Sequence, residues 1–158
     1  MRHAVCCMST VFREEVLQMD KVNFHFDIDG DNFTSAGEAS VRIKKMLREM
    51  GFTPEIIRRV SVAMYEGEIN MVIHANGGDA DVNVYCDRIE IILADRGPGI
   101  PNIELAMQEG YSTAPDNIRS LGFGAGMGLP NMQKYTDYMN VDSVLGVGTT
   151  IEMHVNMK

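Results

Sequence analysis

Basic residues and long apolar runs are scarce in this sequence of 158 residues. Lys and Arg number 14 against 22 Asp and Glu, and the net charge of −8 argues against nucleic acid or an anionic membrane surface as the main partner. No apolar run approaches the roughly 18 residues that a membrane-spanning helix needs. The first residues, M-R-H-A-V-C-C-M-S-T, lack the apolar core of a signal peptide. We therefore expect a cytoplasmic protein that binds neither nucleic acid nor membrane.

Cysteine is also scarce, and its spacing excludes the common metal and redox motifs. Cys6, Cys7 and Cys86 form no C-x-x-C pair, and an odd number of such residues predicts reduced thiols. His3 with Cys6 and Cys7 offers metal-ligand types, but adjacent cysteines lack the spacing that zinc sites usually have. Cys86 falls at the end of an alternating segment, so we expect it in the core.

The length predicts about one domain, with enough chain to bury a sizeable core without a disulfide or a metal. Residues 1–20 are weakly patterned, and we expect an N-terminal leader of unknown role there. Residues 21–158 contain no internal repeat and no linker, which predicts a single domain.

Apolar periodicity predicts both strands and helices. Alternation places strands at about residues 22–28, 82–86, 89–93, 141–144 and 149–155. Helical spacing places helices at about residues 35–50, 54–74, 103–107 and 130–138. Helices together with mostly antiparallel strands predict an α+β fold, a two-layer α/β sandwich.

Two helix starts and one long loop carry signals of their own. Ser35 and Glu38 are three residues apart and form a capping-box pattern, so a helix is expected to begin there. Thr53 at a cap position, with Pro54 in the first turn, predicts the start of the next helix. Residues 110–128 are rich in glycine and lack periodicity, and a loop of that length in a compact domain is usually functional or mobile.

Glu66 and Asn70 are the first candidates for chemistry. Their spacing of four residues puts both side chains on one face of the predicted helix, one turn apart. An amide oxygen is a suitable ligand for magnesium, and a carboxylate can activate a nucleophile. By itself, however, a solvated polar face is the commoner explanation of such a pair.

Three glycine-containing segments are further candidates. D-R-G-P-G at residues 95–99 follows a strand, and its glycines would let a ligand approach the backbone closely, although an ordinary tight turn has the same composition. G-F-G-A-G-M-G-L at residues 122–129 precedes a helix and offers backbone amides to a phosphate. It is neither a dinucleotide-binding fingerprint nor a P-loop, because no βαβ unit surrounds it and no G-K-[ST] follows. G-V-G-T-T at residues 146–150 leads into the last strand.

Each segment is a weak signal alone, but their order and spacing resemble the GHKL family, the Bergerat-type ATP-binding fold. The matching motifs are E-x-x-x-N on a helix, D-x-G-x-G after a strand, G-x-G-x-G-L before a helix and G-x-G-T before the last strand. The resemblance covers about residues 22–158 and implies a mostly antiparallel mixed sheet covered by helices on one face. Residues 21–158 would then be one histidine-kinase-like ATP-binding domain.

Within this family the sequence looks most like the small bacterial serine-protein kinases. The segments G-P-G-I-P, M-Q-E-G-Y-S-T and G-A-G-M-G-L-P resemble the stressosome switch kinases. An insertion at residues 114–121, which contains R-S, resembles instead the anti-sigma factor kinases. Both branches therefore remain open at this point.

The resemblance implies a role for each polar candidate. Asn70 would ligate a magnesium ion that bridges the phosphates of ATP, and Glu66 would activate the attacking hydroxyl or water. Asp95 would accept a hydrogen bond from the adenine amino group. Arg119 would contact the γ-phosphate, although a solvated arginine explains that residue nearly as well.

The remaining candidates would shape the site rather than react. Thr149 would lie under the adenine. Gly97 and Gly99 would make room for the base. A lid over the phosphates would be formed by Gly124, Gly126 and Gly128. Gly148 would support Thr149.

The implied function is that of an ATP- and magnesium-dependent regulatory serine/threonine-protein kinase that phosphorylates a STAS-type antagonist protein. One alternative is an anti-sigma factor that sequesters a sigma subunit. Another is a non-catalytic module in which ATP only sets the conformation. A STAS protein, a sigma factor or a phosphatase is thus the expected partner, and a homodimer is also expected from the resemblance.

Overall fold

A computed structural model describes residues 21–157 of the chain. The predicted leader, residues 1–20, lies outside the described residues, and the predicted division at residue 21 stays a prediction. The family-like segments all fall within the described part of the chain.

A five-stranded antiparallel sheet forms one layer of the described chain. Its strands are β1 (Val22–Asp29), β2 (Gly77–Val84), β3 (Arg88–Asp95), β4 (Tyr138–Val144) and β5 (Gly148–Asn156). They lie in the order β1-β2-β3-β5-β4, and all four pairings within residues 21–157 are antiparallel. The α+β prediction is confirmed, and the expected mixed sheet is antiparallel throughout the described residues.

Helices form the second layer. They are α1 (Glu38–Glu49), α2 (Pro54–His74), α3 (Ile103–Ala106), α4 (Asp116–Ser120) and α5 (Gly128–Tyr135). The long helix α2 packs against α1 on one side and α5 on the other, and it also contacts β1, β2, β3 and β5. None of the helices within residues 21–157 combines the length and the apolarity needed to cross a membrane.

Strand alternation separates the two faces of the sheet. The inward side chains of β3 and β5 are fully or almost fully buried against the helices, and they are Ile89, Ile91, Leu93, Ile151, Met153 and Val155. The opposite side, called the open face below, is polar and carries His25, Asp81, Glu90, Glu152 and His154. Because successive side chains of a strand point to opposite faces, the alternation in the sequence already determines this division.

The capping box predicted at Ser35 and Glu38 is wrong. Ser35 lies in a 3-10 turn (Phe33–Ser35), and its hydroxyl donates to the Asn32 carbonyl at 2.8 Å. Helix α1 begins at Glu38, and its cap residue Gly37 has no side chain to bond the free amides.

A glutamate from the neighbouring helix caps α1 instead. Glu68 of α2 is only 2% exposed. Its two carboxylate oxygens accept from the Ala39 amide at 3.1 Å and the Ser40 amide at 3.0 Å. The first amides of a helix have no partner within it and favour a negative charge, so Glu68 satisfies two of them and ties α1 to α2.

Three local predictions also need correction. Cys86 is exposed rather than buried, because the Tyr85 amide donates to the Arg88 carbonyl at 2.9 Å and closes a turn there. Helix α5 begins at Gly128 and ends at Tyr135, earlier than expected at both ends. Strand β4 begins at Tyr138 rather than residue 141, because pairing with β5 extends it beyond the apolar pattern.

The Glu68→Gln variant should lower the free energy of unfolding by about 1–3 kcal/mol. A glutamine has one acceptor oxygen, so its amide group would face one of the two α1 amides and leave that buried donor unsatisfied. Urea denaturation measures the change. Glu49→Gln, on the exposed end of α1, serves as control and should stay within about 0.5 kcal/mol of the wild type. Equal stability of both variants and the wild type would contradict the capping role.

Candidate functional site

A cavity of about 590 Å³ opens between α2, the inner face of the sheet and the glycine-rich loop. The polar side chains of four predicted residues line it, namely Glu66, Asn70, Asp95 and Thr149. Four predicted glycines line it as well, namely Gly99, Gly124, Gly126 and Gly128. The tertiary structure therefore gathers segments that are as much as 83 positions apart, from 66 to 149, around one space.

Asp95 forms one end of the cavity. Its Oδ1 atom accepts from the Gly97 amide at 2.8 Å and from the Thr149 amide at 3.1 Å. These two bonds join the end of β3, the following turn and the start of β5. The other oxygen, Oδ2, makes no hydrogen bond to any of residues 21–157, so it is free to accept one from a ligand amino group.

Ser143 supports the same corner and was not found from the sequence. Its hydroxyl oxygen accepts from the Ile100 amide at 2.7 Å and lies 2.8 Å from the Thr149 hydroxyl. Strand β4 thereby holds both the loop after Asp95 and the buried Thr149. A lone serine in an alternating strand carries no sequence signal for such a role, because its partners lie on other elements.

Glu66 and Asn70 face the cavity from consecutive turns of α2, as their spacing predicts. Oε1 of Glu66 accepts from the Asn131 side-chain amide at 2.7 Å. Asn131 lies on α5 and was not among the predicted residues. The Asn70 amide makes no hydrogen bond within residues 21–157, and Gly128 approaches it so closely that a Cβ there would lie 3.0 Å from Oδ1.

The glycine-rich loop lies over the cavity and is anchored at two points. The Gly110 amide donates to the Gly126 carbonyl at 2.9 Å, and a Cβ on Gly126 would lie 2.5 Å from the Tyr111 carbonyl oxygen. Phe123 packs edge-on against Phe33 with ring centroids 5.1 Å apart. A side chain at position 126 would therefore force the loop away from the cavity.

The cavity has two carboxylates and no strong cation. Among the described residues that line it, none is Lys or Arg, whereas Glu66 and Asp95 are both acidic. Burial in the cavity wall lowers the pKa of His74 from 6.5, and this histidine is therefore neutral at pH 7. A metal ion would compensate the charge of a polyphosphate in this space, and the amide oxygen of Asn70, which makes no hydrogen bond within residues 21–157, is a suitable ligand for Mg²⁺.

Three predicted residues do not line the cavity. Gly97 lies behind Asp95, where a Cβ would come within 2.6 Å of the Ala75 Cβ atom. Gly148 packs against the Asp95 carbonyl so closely that a Cβ there would overlap it. Arg119 is exposed on α4. The two glycines therefore shape the Asp95 corner by close packing, and the roles predicted for all three stay predictions.

The sequence profile of one family, described as the histidine kinase-like ATPase domain, matches residues 32–155. This match covers most of the chain and includes every segment around the cavity. The chain belongs to the histidine kinase-like ATPase family. The predicted family is thereby confirmed, and with it the ATP-binding class of the domain.

Two curated relatives in this family are similar over most of their length. The serine/threonine-protein kinase RsbT of Bacillus subtilis is 32% identical over 113 residues, which are 69% of this chain and 79% of RsbT. The anti-sigma F factor of Clostridium acetobutylicum is 36% identical over 120 residues, which are 73% of this chain and 80% of the relative. Both branches weighed from the sequence are thus represented among the relatives.

A solved structure supports the fold. The crystal structure of the RsbU and RsbW domains of a Mycobacterium tuberculosis protein superposes with a TM-score of 0.59 and 16% identity. The superposition covers 85% of this chain and 32% of that one. At this identity the similarity concerns the fold alone.

The Asp95→Asn variant should weaken ATP binding by about 1–3 kcal/mol, the scale of a lost charged hydrogen bond. An asparagine can keep its oxygen on the Gly97 and Thr149 amides and so preserve the corner, but its other atom becomes a donor and repels an amino group. Calorimetric titration measures the affinity. Asp142→Asn, an exposed change on β4, is the matched control and should bind ATP normally. Unchanged affinity in a folded Asp95→Asn protein would contradict the assignment.

Proposed function

We propose that this protein is an ATP- and Mg²⁺-dependent regulatory kinase that phosphorylates a serine or threonine of a STAS-type partner protein. The observation that carries the proposal is the arrangement on α2. Glu66 and Asn70 face one cavity from consecutive turns, and Glu66 is held in place by Asn131 at 2.7 Å. A module that only binds ATP needs no oriented carboxylate beside its phosphates.

ATP would lie with its adenine at the Asp95 corner and its phosphates toward α2 and the loop. Oδ2 of Asp95 would accept from the adenine amino group, and Thr149 would lie under the base. Gly99 would leave room for the base, while Gly97 and Gly148 would position Asp95 and β5. The amides of Gly124, Gly126 and Gly128 would surround the phosphates.

Asn70 would hold the magnesium ion. The residues fit this group, because the Asn70 amide is free within the described chain and the cavity lining contains no Lys or Arg to neutralise phosphate. When bound, the ion would compensate charge on the phosphate oxygens. Arg119 would supply a further positive charge to the γ-phosphate after an inward movement of the loop that carries α4.

In the proposed transfer, the partner hydroxyl attacks the γ-phosphorus in line with the bond to the β–γ bridging oxygen. That bond breaks, ADP leaves with the electron pair, and the γ-phosphoryl group becomes attached to the hydroxyl oxygen. Glu66 accepts the hydroxyl proton. Phosphoryl transfer requires positioning and charge stabilisation more than covalent help from the protein, so this small set of groups is sufficient.

An anti-sigma factor that sequesters a sigma subunit is the second candidate. The similarity to the anti-sigma F factor of Clostridium acetobutylicum favours it, at 36% identity. The two candidate functions differ in the lifetime of the complex with the partner. A kinase releases its phosphorylated partner, whereas a sequestering factor keeps its sigma subunit bound. Incubation with labelled ATP and candidate STAS and sigma partners tests both, through phosphate transfer in one case and a stable complex in the other.

The expected homodimer and cytoplasmic location stay predictions.

The Glu66→Gln variant should keep ATP affinity within a few-fold and lower phosphate transfer by about 10²–10⁴, the usual contribution of a positioned base. Glu55→Gln, an exposed change on the first turn of the same helix, is the control and should transfer normally. Labelled-phosphate transfer and calorimetry measure the two quantities. Full transfer by Glu66→Gln would mean that the base is elsewhere, and no transfer by the wild type to any partner would favour a binding module.

Asn131 should act as a positioning residue for Glu66. Asn131→Ala removes the bond to Oε1 and should lower the transfer rate by about tenfold with little change in the KM for ATP, since one hydrogen bond to a charged group is lost. Asn131→Asp places a second carboxylate beside Glu66 and should lower the rate further than alanine does. A purely structural role would predict the opposite order or equal losses, because Asp is closer in shape to Asn than Ala is.

A further inference from the structure

A second cluster of ligating side chains lies on the open face of the sheet, on the side away from the nucleotide cavity. Glu90 of β3 is directly paired with His154 of β5 across the two strands. Glu152 precedes His154 by two positions on β5, so its side chain lies on the same face. Ile151, the inward neighbour of Glu152, and its partner Leu93 on β3 line the cavity, and the sheet therefore separates the two sites.

The three side chains converge on one point. Nε2 of His154 lies 2.8 Å from Oε1 of Glu152 and 3.6 Å from Oε1 of Glu90. All three ligand atoms lie within 4.8 Å of one another. Ligands bound tetrahedrally at about 2.0–2.2 Å from an ion are themselves about 3.3–3.6 Å apart, so small side-chain movements suffice to coordinate one.

His154 alone cannot supply a hydrogen-bond donor to both Glu90 and Glu152. Nε2 carries at most one proton, and it can donate the resulting hydrogen bond to the nearer carboxylate, that of Glu152. Oε1 of Glu90 then has no hydrogen-bond donor within residues 21–157, although the Glu90 side chain is only 13% exposed. No Lys or Arg in the described part of the chain forms an ion pair with either glutamate. A cation bound to all three atoms would compensate both carboxylates at once.

Neighbouring side chains hold two of the three ligands in orientation. The other oxygen of Glu90 accepts from the Asn83 amide at 2.9 Å and from the Tyr85 hydroxyl at 3.4 Å, which turns Oε1 toward the histidine. The His154 ring stacks on Tyr138 with centroids 4.6 Å apart. Supporting contacts of this kind are what orient the ligands of protein metal sites.

We propose that Glu90, Glu152 and His154 form a binding site for a divalent first-row transition-metal ion, with zinc as its test ion. One imidazole and two carboxylates are ligand types that zinc accepts, and three protein ligands leave a position open for water or a partner side chain. The ion would bridge β3 and β5 and reduce the negative charge of the open face. This site is independent of the nucleotide and of the kinase proposal.

Zinc titration of the metal-free chain of residues 1–158 by calorimetry tests the site. The three cysteines and His3 lie outside the proposed site and can also bind zinc. The parent for the test is therefore a variant with His3→Ala, Cys6→Ser, Cys7→Ser and Cys86→Ser. This parent should bind about one Zn²⁺ per chain, and bound zinc should raise its melting temperature, since a ligand that binds only the folded state stabilises it.

Removal of a ligand should then weaken binding. Adding either His154→Ala or Glu152→Gln to the parent should lower zinc affinity at least about tenfold. Loss of a residue that only hydrogen-bonds to a metal ligand already lowers metal affinity by about that factor. His25→Ala is the matched control, because His25 is also a histidine of the open face beside carboxylates and should be replaceable without effect.

The melting curves of the metal-free variants show whether they fold. If His154→Ala does not fold, Glu152→Gln alone tests the loss of a ligand. No zinc binding by the parent, equal affinity in the parent and both ligand variants, or an equal loss in His25→Ala would each overturn the proposal. ATP is absent from the titration, so the result is independent of whether the protein is a kinase.

Discussion

The close packing of α2 on the sheet at Gly67 is the constraint on which the site depends. A Cβ at this position would overlap the Leu93 side chain, and the sulfur of Met132 would lie 3.6 Å from it. The glycine therefore lets the helix approach β3 and α5 at once. Because a helix is rigid over a few turns, this single approach also sets where its polar residues lie relative to the strands and the loop.

Two glutamates beside Gly67 have opposite roles for a geometric reason. Residues two positions apart on a helix point in different directions, so Glu66 faces the cavity while Glu68 faces α1. The buried carboxylate of Glu68 is compensated by helix amides, which stabilises a charge that would otherwise be costly to bury. Glu66 has one asparagine partner and keeps an oxygen available for chemistry. The same stretch of helix thus serves both stability and the proposed reaction.

The sheet divides two kinds of chemistry in a similar way. Its inner face supplies apolar walls and the Asp95 corner of the cavity proposed for the nucleotide, whereas its open face brings Glu90, Glu152 and His154 together. Period-two alternation makes this possible, because adjacent residues of β5 belong to different faces. Strand β5 contributes Thr149 to the cavity and Glu152 and His154 to the open face. The two sites therefore share a strand but no side chain.

The amino-acid sequence by itself determined which segments form the strands and the long helix, though not every boundary, and it grouped Glu66, Asn70, Asp95 and the glycines into one family pattern. Periodicity and short spacings are local properties of the chain. Tertiary structure decided which distant groups meet. Asn131 is 65 positions from Glu66, and no local pattern connects them. The capping box failed for the same reason, since the amides of α1 are bound by a residue about 28 positions away rather than by a neighbour. Hydrogen-bond partners between elements depend on how closely the elements pack, and that distance is a property of the folded core.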